Sequence, residues 1–251
     1  MQKEVVKGKE NCHIYREQGL FVKSGKFLAQ EYKNTQIGAQ LSKDSKGLFL
    51  GPKPISFDNN TSKITFEFIP DMLPLFALDT KDKELEKKVA LAGRALAYIH
   101  TNGHKYIEEK VHLFFDFDSD NKFNGFFHGD FNLQNVQYLK DDIYIIDWSL
   151  SPLLDNTANY GCVFHDVQWF IASIFTLKNS KKIFNTKARI IADIFLDNYL
   201  QNYNCSILDI KKFVTSSRKN KLVFGVKYSF LNGLKIKLQR FNFYNYWKTK
   251  S

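Results

Sequence analysis

Residues 128–147 read HGDFNLQNVQYLKDDIYIID, and no other stretch of the chain restricts its fold as tightly. Asp130 stands two positions after His128, and Asn135 five positions after Asp130; Asp147 closes the apolar run Ile143-Tyr144-Ile145-Ile146. That run has the composition of a short strand. The Asp- and Asn-rich segment before it reads as a loop. The pattern therefore sets a carboxylate and two oxygen ligands for a hard cation on a loop and the strand that follows. Phosphoryl transfer from a nucleotide needs this equipment: a carboxylate to orient and deprotonate the attacking hydroxyl, and Mg²⁺ ligands to neutralise phosphate charge. An ordinary Asx turn before a hairpin explains any one of these residues. It does not explain all three in this order and spacing.

The chain around this segment changes character near residue 70. Before it, Glu4 to Lys7, Cys12 to Arg16 and Leu20 to Lys23 read as strands separated by Gly8 and Gly19. Residues 27–42 read as a helix offering Phe27, Leu28, Ile37 and Leu41 to a core. Pro52 and Pro54 break the pattern, and two further strands follow, the last over 64–69 and stopped by Pro70. After residue 70 helices dominate. Leu85, Val89, Ala92, Leu96 and Ile99 recur at helical spacing over 83–100. Further helices are predicted near 166–178, 187–203, 207–216 and 221–236.

The H-x-D-x-x-x-x-N pattern followed by a metal-binding Asp is that of a kinase catalytic loop. Here Gly129 stands between His and Asp, and Trp148-Ser149 follows Asp147. In these details the chain resembles the aminoglycoside phosphotransferase and choline kinase family of small-molecule kinases. The resemblance implies an α+β, bilobal protein kinase-like fold. A strand-rich N-lobe over 1–70 would bind nucleotide, and a helical C-lobe over 71–251 would carry catalysis and the acceptor. It implies Asp130 as the catalytic base, Asn135 and Asp147 as Mg²⁺ ligands, and ATP or GTP as the phosphoryl donor.

The resemblance also implies roles for residues of the N-lobe. Lys23 ends the third strand, where the family holds its phosphate-binding Lys, and Glu31 is the acid available on the following helix to position it. Gly8 opens the segment Gly8-Lys9-Glu10-Asn11 between the first two strands, the family's phosphate loop. Glu67-Phe68-Ile69-Pro70 occupies the inter-lobe linker, so backbone of Glu67 and Ile69 would meet the nucleotide base while Phe68 or Ile69 packs on its face. His128 would orient the loop. Asp166, in the first turn of a helix, would brace that loop or cap its own helix. His100 reads as a packed core histidine.

Asp147 and Asp166 are nineteen positions apart, too few for an activation loop and a peptide-docking segment, and no Ala-Pro-Glu element is present. A small-molecule or glycan acceptor is expected, resembling an aminoglycoside, an amino alcohol or a sugar. Asp116, Asp118, Asp120 and Asp155 would suit a polycation, and the many aromatic rings a quaternary ammonium. The net charge of +10 suits an acidic or phosphorylated acceptor, such as a lipopolysaccharide or other glycan. It also leaves open a peripheral membrane contact. A pseudokinase serving as a binding module is the alternative from another class; a scaffold has no use for the metal ligands this chain carries.

Lys178, Lys181, Lys182 and the lysines from 235 to 250 concentrate positive charge late in the chain, beside Phe241-Asn242-Phe243-Tyr244. Basic and aromatic residues interleaved in this way can bind nucleic acid. No nucleic-acid motif accompanies them, and a solvated Lys-rich surface is the expectation. Cys12, Cys162 and Cys205 are odd in number and lie in no CxxC pair, which indicates free thiols in a reducing compartment. With no apolar N-terminal stretch and no run of about 18 apolar residues, a cytoplasmic enzyme is expected.

Overall fold

The computed structural model describes residues 4–9, 12–17, 20–25, 28–79, 81–112, 122–149, 158–176, 186–219 and 230–250. Strands β1 (Glu4–Lys9), β2 (Cys12–Glu17), β3 (Leu20–Gly25), β4 (Pro54–Asp58) and β5 (Lys63–Glu67) form one antiparallel sheet in the order β1-β2-β3-β5-β4. Between β3 and β4 runs helix α1 (Leu28–Asp44). Its Leu28 packs with Ile64 and Phe66 of β5, and Phe21, Tyr32 and Phe57 close around them. Side chains alternate along a strand. Lys23 therefore shares the face of Phe21, the face that α1 covers. The first strand is longer than its sequence suggests. Gly8, expected in a turn, lies within β1 and pairs with His13. Glu10 and Asn11 fall outside the described residues.

The remainder is built on α2 (Lys83–Asn102) and α4 (Thr186–Leu200), which pack closely. Asp82 caps α2 by accepting the Glu84 N–H at 2.9 Å. The predicted stripe Leu85, Val89, Ala92, Leu96 and Ile99 is fully buried. Gly93 lets the helices meet, since a Cβ there would lie 2.5 Å from Phe195 O. Helices α3 (Phe164–Ile174), α5 (Ile207–Lys219) and α6 (Phe230–Lys248) complete this body. A short strand β6 (Leu73–Pro74) joins the hairpin of β8 (Val136–Leu139) and β9 (Asp142–Ile145), while β7 (Asn124–Phe126) pairs with β10 (Tyr160–Cys162). Lys140, at φ 53°, makes the tight turn between β8 and β9.

The last helix departs from the expected 221–236. It spans Phe230–Lys248, and 221–229 lie outside the described residues. Phe243, Tyr246 and Trp247 fall at i, i+3 and i+4, and all three are buried in the main core. The aromatic run that could have offered bases a stacking surface is thus largely core: Phe243 is buried and, of its four residues, only Phe241 is exposed. Lys178, Lys181 and Lys182 fall outside the described residues. No helix among the described residues is long and apolar enough to cross a membrane.

Candidate active site

The site forms where β3, α1, the 128–135 loop and the end of β9 converge. Lys23 Nζ lies 2.7 Å from Glu31 Oε1 and 2.7 Å from Asp147 Oδ1. Eight residues suffice to join Lys23 to Glu31, because β3 ends at Gly25 and Glu31 sits in the first turn of α1. One ammonium thus serves two carboxylates. Burial pushes the Glu31 carboxyl up to about 7 despite its pairing with Lys23, and the charge of Asp147 adds to that push. Burial also disfavours charge on Asp147 and Lys23. In both the mutual attraction outweighs it, so Asp147 falls to about 2 and Lys23 is held above its ordinary value. The Asp147 side chain keeps 38% of its surface exposed against 5% for Glu31. Glu31 is the buried anchor and Asp147 the member open to solvent.

Asp147 has φ 61°, an uncommon conformation that Asp tolerates better than most residues. Its Oδ1 also accepts from Ser149 Oγ at 3.1 Å, and its own carbonyl accepts from the Ser149 N–H at 2.8 Å. Both side-chain bonds fall on Oδ1, and none to Oδ2 is found among the described residues. Next along the chain, Trp148 is fully buried and rests on Gly38 of α1, where a Cβ would come within 2.3 Å of Trp148 Cε2. The helix carrying Glu31 is therefore seated directly on the residue after Asp147.

Asp130 lies on a loop held from several sides. The Asp166 carboxylate accepts from the His128 N–H at 2.6 Å and the Gly129 N–H at 2.9 Å. It also contacts His100 Nε2 at 3.1 Å, while Tyr199 Oη lies 2.9 Å from His100 Nδ1. A carboxylate only accepts, so Nε2 carries the proton and Nδ1 takes the tyrosine hydroxyl's. Burial opposes charge on Asp166, but the hydrogen bond from His100, with His165 Nδ1 3.9 Å away, outweighs it and holds the group well below the usual carboxylate range. Asp166 thus lies in the first turn of α3 yet spends its oxygens on the loop rather than on its own helix. His128 is buried as well. Its Nε2 donates to Ile146 O at 3.0 Å and its Nδ1 accepts the Asp130 N–H at 3.2 Å. Gly129 adopts φ 91°, which a side chain there would resist.

Asn135 Nδ2 donates to Asp130 O and to Asp130 Oδ2, both at 2.9 Å, leaving its own Oδ1 available. The Ile146 N–H donates to Asn135 O at 3.0 Å, so Asn135 and the residue before Asp147 are adjacent. Asn135 and Asp147 thereby stand on neighbouring backbone segments, each with a hard side-chain oxygen. That donor set fits Mg²⁺, which takes one or two protein oxygens and completes its shell with water and phosphate. Burial, and then the charge of Asp147, raise the Asp130 carboxyl to about 6.

Two partners of Asp130 were absent from the sequence reading. Trp169 Nε1 donates to Asp130 Oδ1 at 2.6 Å, and Asn132 Nδ2 donates to the same oxygen at 2.9 Å. Asn132 lies inside the diagnostic segment and its amide was there to be counted. Trp169 lies 39 positions away, and no local pattern announces it. Glu67 ends β5 with its side chain exposed and its N–H bonded to Lys53 O at 3.3 Å; Ile69 follows, half-buried. Gly8 is placed in the β1–β2 ladder. Asp116, Asp118, Asp120 and Asp155 lie outside the described residues.

The sheet with its covering helix, the helical body and the loop between them define an α+β fold of the protein kinase-like class. Among solved structures, this fold is shared with choline kinase LicA from Streptococcus pneumoniae at 13% identity, over 98% of this chain and 94% of that one, with a TM-score of 0.54. Amicoumacin kinase hAmiN, in complex with AMP-PNP, Ca²⁺ and its ligand Ami, matches at 12% identity over 97% and 88%, with a TM-score of 0.61. An aminoglycoside phosphotransferase from Streptomyces rimosus, in complex with ADP and streptomycin, matches at 10% identity over 86% and 91%, with a TM-score of 0.57. No family model matches the sequence, and neither does any curated protein.

Proposed function

We propose that the protein is a small-molecule kinase that transfers the γ-phosphoryl group of ATP or GTP to an acceptor hydroxyl. The observation that carries this reading is the convergence of Lys23, Glu31, Asp147, Asn135 and Asp130 from four separate elements onto one cleft. Residues 1–70 would form the nucleotide lobe and 71–251 the acceptor lobe, with Glu67 and Ile69 backbone at the base and Gly8 backbone at the phosphates. Lys23, held by Glu31, neutralises phosphate charge. Asn135 and Asp147 hold Mg²⁺, which when bound draws charge from the phosphate oxygens. Asp130 orients the acceptor hydroxyl and takes its proton as that oxygen bonds to the γ-phosphorus. The bond from phosphorus to the bridging oxygen breaks, and the nucleoside diphosphate leaves with the electron pair. The adenine nucleotides of the neighbouring structures favour ATP as donor.

The acceptor is an amino alcohol, aminoglycoside or sugar-like molecule, in keeping with the acceptor classes of those neighbours. A second reading, an acidic glycan acceptor, is favoured by the net charge of +10. We place the reaction in the cytoplasm, where nucleotide is abundant and a thiol such as that of Cys205 stays reduced. The test is diphosphate release from MgATP and MgGTP across an acceptor panel, with Asp130→Asn as control. Turnover that the control retains in full would defeat the reading.

A further inference from the structure

The two oxygens of Asp130 are loaded unequally. Oδ1 accepts from Trp169 Nε1 at 2.6 Å and from Asn132 Nδ2 at 2.9 Å. Among the described residues Oδ2 accepts from Asn135 Nδ2 alone, at 2.9 Å. Each carboxylate oxygen has two lone-pair sites. Both on Oδ1 are taken, and one on Oδ2 is left.

We infer that Trp169 is a positioning residue which, with Asn132, saturates Asp130 Oδ1 and thereby makes Oδ2 the atom that receives the acceptor's proton. This rests on the phosphotransfer reading and adds to it which oxygen acts and what selects it. The indole suits the task chemically. Its N–H only donates, so it can never compete for the proton. It is also held rigidly. Trp169 sits one turn after Asp166 on α3, and Asp166 fixes the His128 and Gly129 N–H groups of the same loop. The His165 ring stacks beside the indole at 6.1 Å and 15°. One helix thus grips the loop twice, by its backbone and by its reactive carboxylate. With Oδ1 anchored, the carboxylate cannot rotate, and the remaining site on Oδ2 points in one fixed direction. The acceptor O–H meets that site as its oxygen bonds to phosphorus. The proton passes to Oδ2, and the diphosphate departs with the bridging oxygen.

Trp169→Phe keeps the ring and deletes the donor. Steady-state turnover of MgATP and MgGTP with water, choline and streptomycin as acceptors should then show kcat reduced on the order of tenfold, the worth of one hydrogen bond to a charged group. The KM for nucleotide should stay within about twofold, a split that general destabilisation would not produce. A second readout needs no turnover. In ¹⁵N-labelled protein the Trp169 indole N–H should resonate downfield of those of Trp148 and Trp247 and shift in Asp130→Asn. This carries the test should Trp169→Phe fail to fold. Wild-type turnover that Trp169→Phe retains in full overturns this inference alone, as does an indole signal unmoved by Asp130→Asn. No wild-type turnover with any of these acceptors overturns the phosphotransfer reading, and this inference falls with it.

Discussion

Asp130 occupies a compromise between two demands on a base. Burial and the nearby Asp147 charge raise its carboxyl to about 6, while Trp169, Asn135 and Asn132 donate to the ionised form and limit that rise. A carboxyl lifted towards neutrality is a better proton acceptor than an ordinary one and is still ionised at pH 7. The base form grows as pH rises, so activity must climb with pH and then level. Mg²⁺ bound beside it would make the carboxyl ionise more readily, so the acid limb of kcat should lie between the ordinary 3.8 and about 6. A pH–rate profile of the wild type checks this; a limb above pH 7 would point to another base. Lys23 presents the opposite case. It ends an otherwise apolar strand, which is why sequence alone could single it out, yet its exposure to both Glu31 and Asp147 depends on a fold that brings residues 124 positions apart into contact. Trp169 was illegible for the same reason, since its bond to Asp130 spans 39 positions. Asp130 and Asn135 were legible because the bonds between them close within one loop.

At the scale of elements, α1 and α3 each control one half of the site. α1 carries Glu31, and seven residues further on, on the same face, Gly38 seats against Trp148. Gly38→Val should push α1 off Trp148, costing about 1–3 kcal/mol of stability and raising the KM for nucleotide. Thermal unfolding and nucleotide titration check both; a variant with native stability and KM would show that α1 is not fixed there. α3 braces the loop through Asp166. Asp166→Ala would leave the buried His128 and Gly129 N–H groups and His100 Nε2 without their acceptor. Losing one partner of such a buried network costs about 3–5 kcal/mol, so denaturant unfolding should show a large drop; less than about 1 kcal/mol would contradict this bracing. The element boundaries that sequence reading missed have a physical cause. In α6 the Lys-rich composition masked the buried face of Phe243, Tyr246 and Trp247, because helical spacing of aromatics among lysines reads as surface until a core is there to receive it.

For the whole molecule, the kinase-like fold was legible because a few turns, prolines and one periodic helix mark its parts in order. The acceptor was not, because acceptor recognition is assembled from loops whose contacts leave no periodic trace. Net charge constrains it weakly: +10 attracts anions generally and selects none. The central claim is that this fold and this cleft transfer phosphate with Asp130 as the base. The most direct measurement is release of ADP or GDP from the Mg²⁺ nucleotide by wild type and by Asp130→Asn at equal, folded concentration, with choline, aminoglycosides and sugars as acceptors. Magnesium-dependent turnover on at least one acceptor, lowered about 10²- to 10⁴-fold in Asp130→Asn with nucleotide binding retained, is the predicted result. Nucleotide binding without turnover on any acceptor, or equal turnover by both proteins, would contradict it.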